Sequence, residues 1–228
     1  MLVLNAAEVR QALPMRAAIK AMKRAYAALS AGRAEVPSRT QLPIPLQEAA
    51  ALFMPAYVED DSGGVLAVKI VTLFPHNTPV GLPLIHAAVL VMDADNGRIL
   101  ALIEGGSLTA IRTGAGSGAA TDQLARPDSR TAAILGTGVQ ARTQLEAICA
   151  VRPIQNARIY SPTRASVKRF IEEMSKRVEA TLLPADSPQQ AIADADVICA
   201  ATTSTAPIFA DTDLKRGAHV NGVGSYTS

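Results

Sequence analysis

A short apolar run, followed at once by a glycine-rich turn and a helix, constrains the fold of this chain more than any other segment. The run is TAAIL at 131–135, and the turn is GTGVQA at 136–141. The turn fits the pattern G-x-G-x-x-G/A, in which Gly136 permits a tight turn, Gly138 lets the backbone approach a pyrophosphate, and Ala141 allows close helix–strand packing. The free N–H groups at the helix start favour phosphates. The segment therefore predicts a dinucleotide site, with an ordinary glycine-rich turn as the alternative.

The second half of the chain continues this alternation of strands and helices. Further strands are predicted at ARIYS (157–161), ATLLP (180–184), ADVICAAT (195–202) and AHVNGVG (218–224), and helices at VQARTQLEAICA (139–150) and ASVKRFIEEMSKRV (165–178). Such a series implies a parallel sheet with right-handed crossovers. We therefore predict an α/β protein with a Rossmann-type parallel-sheet domain over residues 120–228.

The first half has a different organisation. Asn5 is suited to cap a short helix, and Pro14 to open a second helix that stops at Gly32. The Asn96-Gly97 pair predicts a hairpin turn between two strands. Strand-like runs occur at 38–45, 50–58, 64–74, 83–93 and 97–104. These patterns predict an α+β domain over residues 1–119, built from helices and an antiparallel sheet.

A helix with many small residues is predicted at SLTAIRTGAGSGAATDQLA, residues 107–125. Interior glycines weaken a helix by roughly 1 kcal/mol each relative to alanine. Because the segment carries several of them, we expect another backbone or a ligand to approach this helix closely.

The end of the second strand of the alternating series bears on the choice of cofactor. An acidic residue here would bind the adenosine ribose of NAD, but the sequence is Ser161, Pro162, Thr163, Arg164. The two hydroxyls and the guanidinium can accommodate a 2′-phosphate, and no carboxylate repels it. We therefore predict that NADP(H) is preferred. NAD(H) is the alternative, in which Arg164 only begins the next helix.

Three cations outside the alternating series form a second candidate constellation. Lys69 lies in the middle of the apolar strand GVLAVKIVTLF, Arg39 at the start of a strand, and Arg112 on the small-residue helix. Each alone has an ordinary explanation, such as a lysine on the exposed face of a strand. Together with a nicotinamide site they predict a pocket for a small carboxylate, because arginine binds carboxylates through a bidentate fork and lysine adds a point charge.

Composition excludes several other classes of function. The net charge of +2 is too small for a nucleic-acid surface, and the aromatic content of 4% offers few platforms for stacked bases. The cysteines and histidines show no metal-ligand spacing, so no metal is expected. The N-terminal segment lacks the features of a signal peptide, and no apolar run reaches the ~18–20 residues of a membrane span. We therefore expect a cytoplasmic protein with neither a membrane nor a nucleic-acid partner.

A resemblance to a known family extends these predictions. The run VKIVTLFPHNTPVGLPLIHAAVLVMDADNGRILALIEGGSLTAIRTGAGSGAAT, followed by AAILGTGVQA, VICAATTSTAPIF and VNGVGSY, resembles the ornithine cyclodeaminase/mu-crystallin family, and the match spans essentially the whole chain. The strand lysine, the GLP segment, the T-A-x-R-T helix and the G-x-G-x-Q-A turn occur in family order. The resemblance implies a homodimer of two-domain subunits, in which residues 1–119 bind substrate and form the dimer. It also implies NAD(P)-dependent chemistry on small amino or imino acids.

The resemblance also implies roles for individual residues. Lys69 matches the active-site lysine, Arg39 a substrate-carboxylate arginine, and Arg112 a substrate and cofactor arginine. The family's cofactor contacts match Thr113, Val139, Gln140, Ser161, Thr202 and the segment 222–225, which includes Gly222, Val223 and Gly224. The sequence patterns above add Gly136, Gly138, Thr163 and Arg164 to this predicted cofactor site.

Two departures from the family pattern matter. Cyclodeaminases carry an aspartate just after the last of these strands, and Tyr226 is the aligned residue here. Without that carboxylate, a deamination route loses its general base. Family members also continue for several more elements, so we expect the Rossmann domain to be incomplete at its C-terminus.

The resulting expectation is an NAD(P)H-dependent reductase of small α-imino acids, such as Δ1-pyrroline-2-carboxylate. Lys69, in a partly dry pocket with two arginines, is expected to have a lowered pKa and to hydrogen-bond the carboxylate or keep the imine nitrogen protonated. The alternatives are ornithine cyclodeaminase, alanine dehydrogenase, and a non-catalytic protein of the mu-crystallin type that binds NADPH.

Overall fold

A computed structural model describes residues 1–60 and 63–224 and divides the chain into two compact units. The first unit comprises Met1–Pro14 and Lys23–Thr109. The second comprises Met15–Met22 and the chain from Ala110 onward.

A mixed sheet is the framework of the first unit. Its strands within the described residues are β1 (Leu2–Leu4), β2 (Ala34–Glu35), β3 (Thr40–Ile44), β4 (Ala49–Asp60), β5 (Gly63–Leu73), β6 (Ile85–Asp93) and β7 (Ile99–Glu104). The strand order is β1-β7-β6-β5-β4-β2, and β3 also pairs with β4. The ladders from β4 to β7 are antiparallel, as predicted, but β1 pairs with β7 in parallel. The expectation of a purely antiparallel sheet is therefore wrong at this edge, because the N-terminal Leu-Val-Leu run forms a strand that the sequence patterns did not identify.

Three helices begin in the first half of the chain: α1 (Ala6–Ala12), α2 (Met15–Ser30) and α3 (Gly105–Leu124). The start of α2 and most of α3 belong to the second unit. Asn5 caps α1 as predicted, since its side chain accepts from the N–H groups of Ala7 and Glu8 while the Glu8 carboxylate accepts from the Asn5 N–H. Pro14 lies one position before the first turn of α2, as its cap residue, and Gly32 with φ +69° follows the helix end.

Five parallel strands form the sheet of the second unit. Its elements are β8 (Thr131–Leu135), α4 (Val139–Val151), β9 (Asn156–Tyr160), α5 (Arg164–Met174), β10 (Thr181–Pro184), α6 (Pro188–Ile192), β11 (Val197–Ala200) and β12 (His219–Gly222). The strand order among the described residues is β10-β9-β8-β11-β12, with every pairing parallel. This is the order expected of a doubly wound nucleotide-binding sheet.

The core of the second unit lies between this sheet and its helices. Ile134, Leu145, Ile159 and Phe170 have no exposed surface. Each such side chain contributes roughly 1.5–3 kcal/mol through its burial. The continuous burial of β8, the central strand, and of its neighbour β11 explains why their sequences are apolar runs rather than alternating patterns.

Close packing accounts for the small residues of α3. A Cβ on Gly114 would lie 2.5 Å from the Thr143 carbonyl oxygen on α4, and one on Gly118 would lie 2.7 Å from the Ile19 side chain. The prediction that this helix is approached closely is confirmed, and other helices are what approach it.

Two local predictions differ from the structure. The helix predicted to continue to Val178 ends at Met174, where the N–H groups of Lys176 and Arg177 bond three residues back rather than four and the chain turns. The short helix α6 was not predicted, although Ser187 caps it and Pro188 occupies its first position.

Cys149 and Cys199 are free thiols, and burial raises the pKa of each to about 12, so both stay protonated near neutral pH. Within residues 1–60 and 63–224, no helix has the length and apolar character needed to cross a bilayer.

Candidate functional site

The carboxyl ends of the parallel strands form one edge of the sheet in the second unit. β9 and β11 flank β8 on opposite sides, so the direction of winding reverses between β8 and β11. Ligands of open α/β sheets bind at this reversal point, outside the carboxyl ends of the strands. The segments that leave these ends begin with Gly136 after β8, Ser161 after β9 and Ala201 after β11.

The two glycines of the turn after β8 have different local surroundings. Gly136 has φ +105°, and a Cβ there would overlap the carbonyl oxygen of Ala201. Both facts require glycine for the fold itself. Gly138 has φ −79°, and a Cβ there would meet no atom within 4 Å. The space beside Gly138 is therefore open, as a backbone that approaches a ligand requires.

The start of α4 provides uncapped backbone donors beside that space. Gly138 is the cap residue of α4 and makes no side-chain cap hydrogen bond. Val139 has 63% of its surface exposed, and the buried Oε1 of Gln140 has no partner among the described residues. Free N–H groups, a positive helix end and open space together fit the diphosphate of a dinucleotide.

The loop after β9 is tied to the glycine turn through hydroxyl groups. The Ser166 Oγ lies 3.0 Å from the Thr137 Oγ1, 3.3 Å from the Ser161 Oγ and 2.6 Å from the Thr163 carbonyl oxygen. Thr163 is the exposed cap residue of α5, and Arg164 begins the helix. The predicted residues Ser161, Thr163 and Arg164 therefore lie at the same sheet edge as the turn.

Arg164 has a partner that the sequence patterns did not identify. Its Nη2 lies 2.9 Å from the Oδ1 of Asp186, which follows β10, and both side chains are largely exposed. A cavity of about 330 Å³ opens between α5 and the end of β10. Its lining residues include Ser161, Arg164, Lys168, Ile171, Ala185 and Asp186. The cavity offers apolar surface with both cations and carboxylates at its margin.

The segments after β11 and β12 complete this edge. A Cβ on Gly224 would lie 2.5 Å from the Thr202 carbonyl oxygen, and the Val223 N–H bonds to the Ala200 carbonyl at 2.9 Å. A Cβ on Gly222 would meet nothing within 4 Å. Thr202 and the segment 222–224 thus lie beside each other near Gly136. Tyr226 falls outside the described residues.

Lys69 and Arg39 belong to the first unit. Lys69 lies at the centre of β5, opposite Met54 on β4 and Val89 on β6, and is half-buried. Arg39 directly precedes β3 and is exposed. A central strand with two paired neighbours holds the backbone of Lys69 firmly, whereas Arg39 lies just outside a ladder.

Arg112 and Thr113 belong to the part of α3 that lies in the second unit. Arg112 is exposed, and Thr113 is half-buried. The carbonyl of Thr113 accepts a hydrogen bond of 3.4 Å from the Nε2 of Gln144, whose side chain has no exposed surface. Gln144 therefore connects the helix of Arg112 to α4, the helix that begins at the glycine turn.

The side chain of Arg142 also contacts the glycine turn, and the sequence patterns gave it no role. Its Nη1 lies 2.7 Å from the Thr137 carbonyl oxygen and 3.0 Å from that of Gly138. No sequence signal separates Arg142 from any other cation on an amphipathic helix. Only the position of its partners in the folded chain identifies it.

Comparison with known proteins gives relatives along almost the entire chain. The chain is 38% identical over 226 residues to a Δ1-pyrroline-2-carboxylate reductase of Bacillus cereus, covering 99% of this chain and 69% of that protein. The structure of a Thermococcus litoralis Δ1-pyrroline-2-carboxylate reductase in complex with NADH and L-proline superposes with a TM-score of 0.90 at 42% identity, covering 98% of this chain and 69% of that one. A lysine cyclodeaminase structure superposes with a TM-score of 0.82 at 33% identity, covering 98% and 67%.

The family itself follows from a match to the whole sequence. The model of the ornithine cyclodeaminase/mu-crystallin family matches residues 1–228. The Rossmann-type fold, the order of the predicted motifs and the relatives agree with this match. The chain belongs to the ornithine cyclodeaminase/mu-crystallin family.

Proposed function

We propose that this protein is an NAD(P)H-dependent reductase that converts small α-imino acids, of the Δ1-pyrroline-2-carboxylate type, to amino acids. The observation that carries the proposal is the identity of 38% and 42% to two Δ1-pyrroline-2-carboxylate reductases, each over at least 98% of this chain. The relative of known structure was solved with NADH and L-proline, the reduced cofactor and the amino-acid product of such a reaction.

A nicotinamide dinucleotide is the proposed cofactor, held at the carboxyl edge of the parallel sheet. The open space at Gly138 and the uncapped start of α4 support binding of its diphosphate. Ser161, Thr163 and Arg164 are proposed to bind the adenosine end. Because no carboxylate ends β9, we propose that NADP(H) is preferred and that NAD(H) is also accepted. When bound, the reduced nicotinamide supplies the hydride that the carbon of the C=N group accepts.

The substrate carboxylate is proposed to bind to Arg39 and Arg112, and Lys69 is the proposed catalytic residue. Two guanidinium groups that fix a carboxylate also fix the carbon next to it, and such positioning can supply up to roughly 7–11 kcal/mol of a reaction barrier. Lys69 would hydrogen-bond the carboxylate or hold a proton on the imine nitrogen, which makes the carbon a better hydride acceptor. The net reaction adds one hydride to carbon and leaves one proton on nitrogen.

A homodimer is the proposed assembly. Several apolar side chains of the first unit are exposed, among them Leu2 at 57%, Val3 at 60%, Leu46 at 95% and Val80 at 71%. Exposed apolar side chains on this unit support association with a second copy of the chain. Light scattering coupled to gel filtration would measure a mass near twice the chain mass of 23.8 kDa.

Cyclodeamination is the second candidate function. The 33% identity to a lysine cyclodeaminase favours it. Tyr226 argues against it, since the resemblance places an aspartate at that position in the cyclodeaminases. A phenol does not replace an ionised carboxylate as the general base of a deamination.

A pair of assays separates the reductase from the cyclodeaminase, and a third assay, with pyruvate, ammonia and NADH, tests for an alanine dehydrogenase. The protein is mixed with NADPH or NADH and Δ1-pyrroline-2-carboxylate, and the absorbance of the reduced cofactor is followed. In parallel, ornithine or lysine is supplied with NAD⁺, and ammonia is measured. Cofactor consumption with the imine, and no ammonia, is the expected result. Ammonia release from ornithine without net NADH formation would replace the reductase with the cyclodeaminase, and reduction of pyruvate with ammonia would indicate an alanine dehydrogenase. Tight NADPH binding without any turnover would indicate a non-catalytic binding protein.

A further inference from the structure

Arg142 lies one turn into α4 and its side chain reaches back to the glycine turn from which that helix begins. Its Nη1 donates to the carbonyl oxygens of Thr137 at 2.7 Å and Gly138 at 3.0 Å. We propose that Arg142 is a positioning residue, which fixes the peptide groups of the turn so that their N–H groups face a bound diphosphate. This inference rests on the proposed function, because it assigns that diphosphate to the dinucleotide cofactor.

The geometry of the peptide group carries the argument. In a planar trans peptide the C=O and the following N–H point in opposite directions. The Thr137 carbonyl belongs to the same peptide group as the Gly138 N–H, and the Gly138 carbonyl to the same group as the Val139 N–H. An arginine that holds both carbonyls on one side therefore holds both N–H groups on the other. Gly138, with open space around its missing Cβ, gives this pair of peptides no side-chain restraint of its own.

The guanidinium is itself held from the opposite side. Its Nε and Nη2 each lie 2.8 Å from the Oε2 of Glu173, and its Cζ lies 5.4 Å from the centre of the Phe170 ring. The hydrogen bond from Arg142 is the main reason that the pKa of Glu173 is lowered, so this carboxylate stays ionised and keeps the pair intact. The planar guanidinium of Arg142 can bind two carbonyls and a carboxylate at once in only one orientation. The ammonium group of a lysine would not be fixed in this way.

Arg177 provides a matched control on the same network. Among the described residues it pairs with Glu173 at 3.1 Å and with Glu146 at 3.2 Å, and neither partner is part of the turn. Arg142→Ala and Arg177→Ala therefore both remove an arginine from Glu173, and only the first releases the carbonyls of Thr137 and Gly138. Arg142→Lys retains the positive charge but has one donor nitrogen in place of the guanidinium fork.

The test is direct titration of NADH and NADPH, by calorimetry, into the wild type and these three variants, with thermal unfolding measured alongside. We expect Arg142→Ala to raise the dissociation constant about tenfold or more, as small displacements of binding groups do. Arg142→Lys should recover part of that loss, and Arg177→Ala should stay within about twofold of the wild type. In turnover, Arg142→Ala should raise the KM for the cofactor and leave kcat and the KM for the imino acid nearly unchanged.

If the wild type binds a cofactor, three outcomes would overturn the inference. In the first, Arg142→Ala folds and binds both cofactors as tightly as the wild type. In the second, Arg177→Ala weakens binding as much as Arg142→Ala does, which would show a general effect of the ion-pair network. In the third, Arg142→Ala fails to fold, and the folded Arg142→Lys variant binds both cofactors as tightly as the wild type. A wild type that binds neither cofactor would instead overturn the proposed function, and this inference with it.

Discussion

A Cβ on Gly136 would overlap the carbonyl oxygen of Ala201, whereas a Cβ on Gly138, two residues later, would enter open space. The two glycines of one motif therefore serve different purposes. Gly136, with φ +105°, lets β8 and the segment after β11 approach each other, and Gly138 leaves room for something that is not protein.

Alanine at these two positions is predicted to separate stability from binding. Gly136→Ala should lower the free energy of unfolding by about 2–4 kcal/mol, through backbone strain and the overlap with Ala201. Gly138→Ala should change it by less than about 0.5 kcal/mol, because its φ is ordinary and its methyl group meets no protein atom. The same methyl group should lower the affinity for NADH and NADPH about tenfold if the cofactor diphosphate binds beside Gly138.

Urea unfolding followed by circular dichroism, with calorimetric titration of the cofactors, measures both effects. Equal stability losses in the two variants would contradict the structural distinction. A stable Gly138→Ala protein with unchanged cofactor affinity would place the diphosphate elsewhere.

Ser161→Asp is predicted to shift cofactor preference toward NADH. A carboxylate at the end of β9 would bind the ribose hydroxyls of NAD and repel a 2′-phosphate. We expect the ratio of kcat/KM for NADPH to that for NADH to fall at least about tenfold, equivalent to 1.4 kcal/mol. If the ratio does not move, Ser161 does not contact the 2′ position.

Asp186→Asn is predicted to shift cofactor preference in the opposite direction, toward NADPH. Asp186 holds Arg164 at 2.9 Å, and its charge would also oppose a nearby phosphate. Removing that charge should raise the same ratio, by less than about tenfold because the pair is exposed and screened. Added salt should reduce the difference in this ratio between the wild type and Asp186→Asn, because salt screens exposed charges. A fall in the ratio, or no change at low salt, would exclude Arg164 from phosphate binding.

How far the sequence alone predicts this site depends on how local each signal is. The turn 136–141 is a continuous segment whose glycines and helix start are readable in order, and the structure has the strand, turn and helix where they were predicted. The hydrogen bonds of Ser166 and Arg142 join partners from 3 to 31 residues away, so no single spacing rule identifies them. Asp186 is 22 residues from Arg164, and only the pairing of β9 with β10 brings the two elements together.

Separation along the chain also decides which parts of the fold could be predicted. Alternation and turn residues predicted β4 to β7, since hairpin partners adjoin in sequence. The parallel pairing of Leu2–Leu4 with Ala101–Ile103 joins segments almost a hundred residues apart, and three apolar residues carry no pattern that requires it. α5 ends at Met174 because the N–H groups of Lys176 and Arg177 bond three residues back rather than four, a change that the apolar spacing through Val178 does not indicate.

Asp196 should dominate the pH dependence of stability in the second unit. Its side chain is 7% exposed, and it accepts from Arg126 at 2.7 Å and Lys215 at 2.6 Å as well as from the backbone N–H groups of Arg130 and Thr131. Burial alone would raise the pKa of Asp196, but the hydrogen bonds, first that of Lys215, outweigh it and hold the pKa well below its usual range. A lowered folded-state pKa gives stability that is complete above the unfolded value of about 3.9 and is lost as the pH falls further.

Asp196→Asn is therefore predicted to cost about 3 kcal/mol at pH 7, because it leaves two cations and two backbone donors without their charged acceptor. The difference from wild type should begin to narrow below about pH 5 and continue to shrink toward pH 3. Asp128→Asn is the matched control, since Asp128 also pairs with Arg126 but is 76% exposed. Asp128→Asn should change the free energy of unfolding by less than about 0.5 kcal/mol at every pH measured. Urea unfolding at pH 7, 5 and 3.5 measures the free energy of unfolding of both variants and the wild type. A stability difference between Asp196→Asn and the wild type that stays constant with pH would contradict the prediction.

Lys69→Ala is predicted to abolish turnover and to spare cofactor affinity. The backbone of Lys69 is fixed between β4 and β6, in the first unit, while the proposed cofactor residues of the glycine turn lie in the second. Loss of a group that holds a proton in the reaction should lower kcat by about 10²–10⁴-fold. Lys69→Met retains most of the apolar stem of this half-buried side chain and controls for packing, and Lys176→Ala, at an exposed position, controls for loss of charge. Both Lys69 variants should bind NADPH within about twofold of the wild type, by calorimetry. Full activity in Lys69→Met would remove Lys69 from the chemistry, and weakened cofactor binding with normal kcat would make it a binding residue instead.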